Sequence, residues 1–164
     1  MPIDMYLVSD EITGESQAAG LPLSRCAVEI ESWSFGVSQP PSIGGLGLSA
    51  GTAACSDLHC TFALEQASYQ LIRYLTIGLH LGHVKFLGRK TGGGGTPFTY
   101  LEIDLDNCFI TSFSMGGGSS GIPLAQLSLA YANMTYKYFS QDTRTGGVTL
   151  VGSVQYDVKA KAAA

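Results

Sequence analysis

Ile30-Glu31-Ser32-Trp33-Ser34-Phe35-Gly36-Val37-Ser38-Gln39-Pro40 alternates large apolar side chains with small or polar ones from Trp33 onward. Period-two alternation marks a half-buried β-strand, because successive side chains on a strand point to opposite faces. The parity is not constant. Val28 and Ile30 occupy even positions, whereas Trp33, Phe35 and Val37 occupy odd ones. A strand with one buried face changes parity only at a bulge or where its surroundings change. Leu127, Leu129 and Tyr131 give way to Met134, Tyr136 and Tyr138 in the same manner. Both switches predict strands that lie where a sheet bends to close a barrel, or where one end packs on a neighbouring subunit.

Most of the remaining chain reads the same way, as strands rich in Val, Ile, Thr, Tyr and Phe separated by glycine turns, so the fold is expected to be mainly β. From Leu101 to Met115 the odd positions Leu101, Ile103, Leu105, Phe109, Phe113 and Met115 are apolar and predict a single inward face. Glu102, Asp104 and Asp106 share the opposite face, and same-face carboxylates repel one another unless solvated or matched by cations on an adjoining strand or subunit. Helical spacing occurs at Leu64, Ala67, Leu71 and Leu75, which with Ser68 as N-cap and Gly78 as the stop predicts one short helix over about Tyr69 to Ile77. Gln39 to Ala54 reads as an extended loop broken by Pro40, Pro41, Gly44, Gly45, Gly47 and Gly51, yet it carries the apolar residues Ile43, Leu46 and Leu48. Apolar residues on such a loop predict that it docks on something.

The 164 residues suffice for one domain spanning 1–164, and no linker or repeat divides them. A net charge of -4 with scattered lysines and arginines excludes a phosphate-binding stripe, and with it nucleic acid as a partner. Charged residues make up 13% of the chain, against about 25% in ordinary soluble domains. So uncharged a surface is expected to meet other subunits. No stretch is long and apolar enough to insert in a membrane, and the opening Met1-Pro2-Ile3-Asp4 lacks the basic start of a cleaved signal peptide. Cys26, Cys55, Cys60 and Cys108 are then expected to be free, mostly buried thiols. Cys55, His59 and Cys60 lack a second ligand pair at zinc spacing, and no metal is expected.

Gly47-Leu48-Ser49-Ala50-Gly51 satisfies the G-x-S-x-G pattern of a serine hydrolase, with Asp57 and His59 as the nearest acid and base. A nucleophile elbow needs a strand directly before the serine and a helix directly after it, and neither flank reads so here. The glycine run 92–95 follows Lys90 and Thr91 instead of preceding them, which makes it a hairpin tip and not a phosphate cradle. Gly116 to Gly121 reads as a second flexible connection. No catalytic residue and no cofactor is expected.

The Ile30–Pro40 stretch, the opening Ile3-Asp4-Met5-Tyr6-Leu7 with Gly14-Glu15-Ser16, and Glu65-Gln66-Ala67-Ser68 together resemble the Hcp family of type VI secretion tube subunits. The Arg89-Lys90-Thr91-Gly92 turn, Ile110-Thr111-Ser112 and the closing Tyr156-Asp157-Val158-Lys159 extend that resemblance along nearly the whole chain. Two departures stand out: Tyr69 replaces the proline that commonly follows the family's serine, and Tyr156-Asp157 stands where many members have Trp-Asp. The resemblance implies a closed β-barrel of two sheets with one helix, assembled into a homo-hexamer. It further implies that rings stack into a tube expelled by sheath contraction, with effector proteins in the lumen and the sheath and tip spike proteins as partners. The extended loop, with Pro40, Pro41, Ile43, Leu46 and Leu48, is implied to reach the next ring. Trp33, Phe35, Val37 and Tyr156 are implied in the core or a subunit interface. The protein is expected to be made in the bacterial cytoplasm and secreted through the type VI apparatus without a signal peptide. A free ring-shaped effector chaperone and a phage-tail-like tube protein are the alternatives, with a hydrolase using Ser49 behind them.

Overall fold

The computed structural model describes residues 3–22, 27–45, 47–92 and 95–163. The elements run β1 (Ile3–Ser9), β2 (Val28–Glu29), β3 (Ser32–Ser34), β4 (Val37–Ser38), β5 (Pro41–Gly44), β6 (Gly47–Ala50), β7 (Ala54–Cys55) and β8 (Leu58–Ala63). The single helix among the described residues, α1 (Ala67–Ile77), precedes β9 (His80–Thr91), β10 (Pro97–Gly116), β11 (Leu124–Ala130), β12 (Asn133–Gln141), β13 (Val148–Asp157) and β14 (Ala162–Ala163). The fold is therefore mainly β with one short helix.

The long strand β10 organises the main sheet. β9 lies along one edge, pairing from Thr91↔Pro97 to His80↔Phe109. β11 and β12 pair with β10 one after the other, antiparallel, from Gly116↔Leu124 through Phe109↔Ala130 to Asp106↔Asn133 and Leu101↔Tyr138, with a register shift between Ile110 and Ser112. β8 then pairs with β11 while β13 pairs with β12, so the sheet forks at the break Tyr131–Ala132. On the far side β9 pairs with β1 and β1 with β2.

The second parity switch has one physical cause, shared by neighbouring strands. Asn107 in β10 (φ 50°) and Gly82 in β9 (φ 69°) both adopt left-handed backbone, and the β9–β10 register shifts between Leu105 and Phe109. At the same level Ala132 breaks the β11–β12 strand, its N–H donating to the Asp106 carbonyl at 3.1 Å. Left-handed φ suits Gly and is tolerated by Asn, which makes this the place for a bulge. A crease thus crosses three neighbouring strands. Burial changes phase at it in each: Leu81 to Val84, Leu105 to Cys108, and Tyr131 to Met134 are consecutive core positions. The expectation of one inward face along β10 is corrected accordingly. Leu101, Ile103 and Leu105 are buried, but beyond Asn107 it is Cys108 and Ile110 that turn inward, while Phe109 and Met115 are exposed.

The first parity switch has a different origin. Val28 and Glu29 pair with β1, whereas Ser32–Ser34 pair with β8. The Ile30 N–H donates to the Met5 carbonyl and the next amide, Glu31 N–H, donates to the Thr61 carbonyl, both at 2.8 Å. One continuous segment changes partner between adjacent residues, and its inward parity changes with it. The ladder does not run round as a closed sheet among the described residues.

The core is filled by Phe62, Phe86, Leu58, Leu71, Leu81, Ile103, Leu105, Leu127 and Leu129. A smaller cluster on the other face of β1 and β9 joins Tyr6, Val8, Ala27 and Leu87 beneath Ala18 and Leu21, so β1 is buried on both faces. The expected helix boundary is also corrected. α1 begins at Ala67, with Gln66 at the N-cap position. Ser68 is buried inside the first turn, where its Oγ has no partner. Gly78 ends the helix as expected, its left-handed backbone sending an N–H back to the Tyr74 carbonyl at 3.0 Å.

Candidate functional site: an exposed β-arm and the aromatic clamp at its base

Gln39 to Ala54 is not an irregular loop. Two short ladders make it a ribbon arm: Val37↔Cys55 and Ser38↔Ala54 below, Pro41↔Ala50 to Gly44↔Gly47 above. Between them the register shifts, with the Gly51 N–H donating to the Pro40 carbonyl at 3.2 Å and Gln39 Nε2 to the Gly51 carbonyl at 2.6 Å. Prolines at 40 and 41 have no N–H to offer a longer ladder. That composition reads as a breaker in sequence, although a two-stranded arm exposed to water tolerates it.

The base of the arm is fixed by polar contacts to aromatic residues of the main sheet. Ser56 N–H and Gly36 carbonyl bond at 2.8 Å, and the Gly36 N–H returns a 2.8 Å bond to Ser56 Oγ. Tyr131 donates its hydroxyl to the Ser56 carbonyl at 2.8 Å, and Phe35 packs on that ring at 6.3 Å between centroids. Tyr156 on β13 donates to the Ala53 carbonyl at 3.1 Å. Burial pushes the Tyr131 hydroxyl well above its ordinary range, so it serves as a lasting donor. Trp33 lies apart from this clamp. It is half-buried and stacks at a tilt on Phe86 of the core, centroid to centroid 4.9 Å.

The far end of the arm is bare. β5 and β6 pair only with each other. Ile43 and Leu48 are directly opposed across the ladder and are 83% and 77% exposed. Pro40 and Pro41 are exposed as well, and Leu46 lies outside the described residues. Val37 is 57% exposed, so it is no part of the core. Sequence reasoning passed over a second exposed apolar strip on β13, where Val148, Leu150, Val151 and Val154 lie open to solvent. Only residues 156 and 157 of β13 pair with β14, which leaves the rest of that edge unpaired among the described residues. The available signal was the run Val148 to Val154, which carries apolar residues on both parities, Val148 and Leu150 on one and Val151 on the other.

The acidic face of β10 is matched within the subunit. Lys85 Nζ lies 2.7 Å from Glu102 and 3.5 Å from Asp104, His83 bridges Asp104 at 3.2 Å and Asp106 at 2.7 Å, and Lys137 approaches Asp104 at 3.8 Å. Burial alone would raise Glu102, but the Lys85 hydrogen bond and charge outweigh it and hold the carboxyl below its usual range. Asp104 moves the other way, raised by burial and by the Glu102 charge.

Residues weighed for chemistry are engaged otherwise. Ser49 Oγ donates to the Ser42 carbonyl across the arm at 3.2 Å, while His59 Nδ1 sits 2.7 Å from Ser128 Oγ on the neighbouring strand. His59 is exposed and Cys60 buried, so their side chains leave β8 on opposite faces. Cys60 and Cys108 are free thiols pushed up to about 12 by burial, Cys55 is free and half-buried, and Cys26 lies outside the described residues. Among the described residues no three His, Cys, Asp or Glu side chains are grouped to hold a metal.

The chain is a mainly β protein with one short helix among the described residues and an arm that carries exposed apolar side chains. The profile of the family described as "Type VI secretion system effector, Hcp" matches residues 6–138, and the chain belongs to that family. Members form rings in the type VI secretion system, as structural tube proteins that are themselves secreted. A solved type six secretion system protein superposes with a TM-score of 0.88 at 20% identity, over 99% of this chain and 100% of that one. Hcp1 from Salmonella typhimurium gives 0.78 at 22%, covering 100% of both chains. A type VI secretion system effector from Yersinia pestis gives 0.73 at 28%, over 94% of this chain and 100% of its own. Among curated proteins no match was found. No helix among the described residues is long and apolar enough to cross a membrane.

Proposed function

We propose that the chain works as one domain, 1–164, whose copies close into a hexameric ring, and that rings stack into the type VI inner tube through the arm. The observation that carries this reading is the bare cross-strand pair Ile43 and Leu48, held on an arm whose base is clamped and whose two strands, among the described residues, pair only with each other. Two large aliphatic side chains fully open to water are unfavourable by about 1.5 to 3 kcal/mol each relative to burial. Covering them against the next ring recovers that energy at six places in each interface. Pro40, Pro41, Ile43, Leu46 and Leu48 then form the stacking contact, while Phe35, Val37 and Tyr156 hold or flank its root.

Ring closure falls to other surfaces. The exposed valines and unpaired edge of β13 supply a strip that a neighbouring subunit would cover, consistent with managing a free strand edge by assembly. In this reading the barrel would be bridged by Val28–Ser34, which bonds β1 by its first half and β8 by its second. The reading is of a mechanical part with no catalytic group: made in the bacterial cytoplasm, joined by sheath and tip spike proteins, carrying effector proteins in its lumen, and expelled through the apparatus. A free ring acting as a chaperone, or a hydrolase, would have no use for the arm. Native mass spectrometry of the purified chain at micromolar concentration should show hexamers; monomers alone in mild buffer would overturn the ring. Val151→Asp should lower ring occupancy sharply while leaving the subunit folded.

A further inference from the structure

The segment between β1 and β2 crosses α1 as a strap. Tyr74 donates its hydroxyl to Glu11 Oε2 at 2.8 Å, and the Thr13 N–H donates to Gln70 Oε1 at 2.8 Å. Gln66 Nε2 donates to the Gly14 carbonyl at 2.9 Å, and the Gln66 N–H donates to Glu15 Oε1 at 3.1 Å. The N-cap that Ser68 does not provide is thus supplied from a residue distant in sequence. Gly14 is required where the strap passes Ala27, because a Cβ there would collide with that carbonyl. The next turn is tied down by the Ser16 N–H to the Ala27 carbonyl at 3.1 Å and by Ser16 Oγ to Glu29 Oε1 at 3.0 Å.

This arrangement brings three carboxylates to one groove, lined by Glu15, Ser16, Glu29, Ala63, Leu64 and Glu65. The charges acting on Glu65 are Glu15 of the strap and Glu29 of β2. Among the described residues neither α1 nor β8 offers a cation at the groove: the one charge on α1 is the exposed Arg73, and β8 carries His59 at its other end. Glu65 Oε1 is buried and has no hydrogen-bond partner among the described residues, while the Glu15 backbone N–H bonds the Glu65 carboxyl. An ionised Glu65 would sit beside two like charges with one oxygen dry and unpaired, an arrangement that burial makes costly. A neutral carboxylic acid fits the same space without that penalty.

We propose that Glu65 is a proton-controlled clasp, neutral when the Glu11–Ser16 strap is closed over α1 and ionised when the strap lifts. Burial first, and then the Glu15 and Glu29 charges, push its carboxyl up to about 7. The sign follows from linkage. The closed strap binds a proton that the open strap, with an ordinary carboxyl near 4.5, does not. Closure is therefore strongest below that ordinary value and weakens as pH rises towards neutrality, after which it levels off.

Amide hydrogen exchange on the full chain, corrected for intrinsic rates, tests this at Thr13, Ser16 and Gln66. Between about pH 5.5 and pH 7.5, protection of these amides should fall roughly tenfold or more, while that of core strands stays level. Glu65→Gln should remove the pH dependence and hold the strap closed throughout. Glu29→Gln should keep the dependence but shift it to lower pH, since one repelling charge is gone. Unchanged wild-type protection across the range, or a Glu65→Gln profile that still follows pH, would overturn the clasp. If Glu65→Gln fails to fold, the wild-type and Glu29→Gln profiles decide the matter alone.

Discussion

The crease region of the main sheet and the β5–β6 arm are built from the same aliphatic residues and put them to opposite uses. Around the crease, Leu81, Val84, Ile103, Leu105, Leu127 and Leu129 are fully enclosed, and three strands change phase together so that none of these side chains is stranded outside. On the arm, Ile43 and Leu48 face each other and solvent, with the backbone held by its own ladder and by Tyr156 and Tyr131 at the root. Core burial stabilises the subunit. The arm buries little apolar surface of its own, which under the proposed function is left for a second copy. On that proposal, fold stability and assembly reside in separable parts of one chain.

The contrast breaks most visibly under truncation. Phe86→Ala, which removes a fully enclosed ring stacked on Trp33, should cost about 3 to 5 kcal/mol in urea unfolding. Leu48→Ala measured the same way on dissociated subunits should change stability by less than about 0.5 kcal/mol. Equal costs at the two sites would erase the distinction. The crease itself can be probed at Asn107, where a β-branched residue meets a left-handed backbone. Asn107→Val should destabilise by about 1 to 2 kcal/mol, whereas Asn107→Gly should be near neutral.

A smaller effect is expected at the charge cluster on β10. Lys85→Met should cost about 1 kcal/mol, because Glu102 and Asp104 lose a cation in a half-exposed site. Glu102 is held below its usual value of 4.5, so its contribution is full above that value and is lost as pH falls through the lower folded one. Acidification from about pH 5 to pH 3 should therefore weaken the wild type more than Lys85→Met, as read by thermal unfolding at each pH. Smallest of all is Ser49→Ala, which removes one exposed hydroxyl bonded to the Ser42 carbonyl. It should leave unfolding, assembly and export unchanged, and stoichiometric labelling of Ser49 by a fluorophosphonate would contradict the reading.

What could be read from the chain divides along physical lines. The helix was legible because Ala67, Leu71 and Leu75 repeat at its period and Gly78 stops it, all local signals. Its start was not, since Glu15, fifty-one positions earlier, does the capping. Parity changes announced that the sheet bends, but the single face expected along β10 failed at Asn107 because a crease is a property of three strands at once. Exposed apolar residues in 39–54 were legible from composition. Their ladder was hidden because prolines and glycines look alike in a loop and in a short solvent-exposed ribbon. Trp33 and Phe35 were singled out by parity and Tyr156 on resemblance; that Phe35 packs on Tyr131 and Tyr156 bonds the Ala53 carbonyl at the arm's root depends on β13 and the chain after β3 converging there.

The claim that the arm governs stacking and not ring formation is tested most directly by electron microscopy and native mass spectrometry of Leu48→Asp beside the wild type. A charge at that position, 77% exposed in the subunit, is harmless until the next ring would bury it. The account predicts intact hexamers with stacked tubes abolished. Tubes persisting unchanged, or hexamers dissociating to monomers, would contradict it.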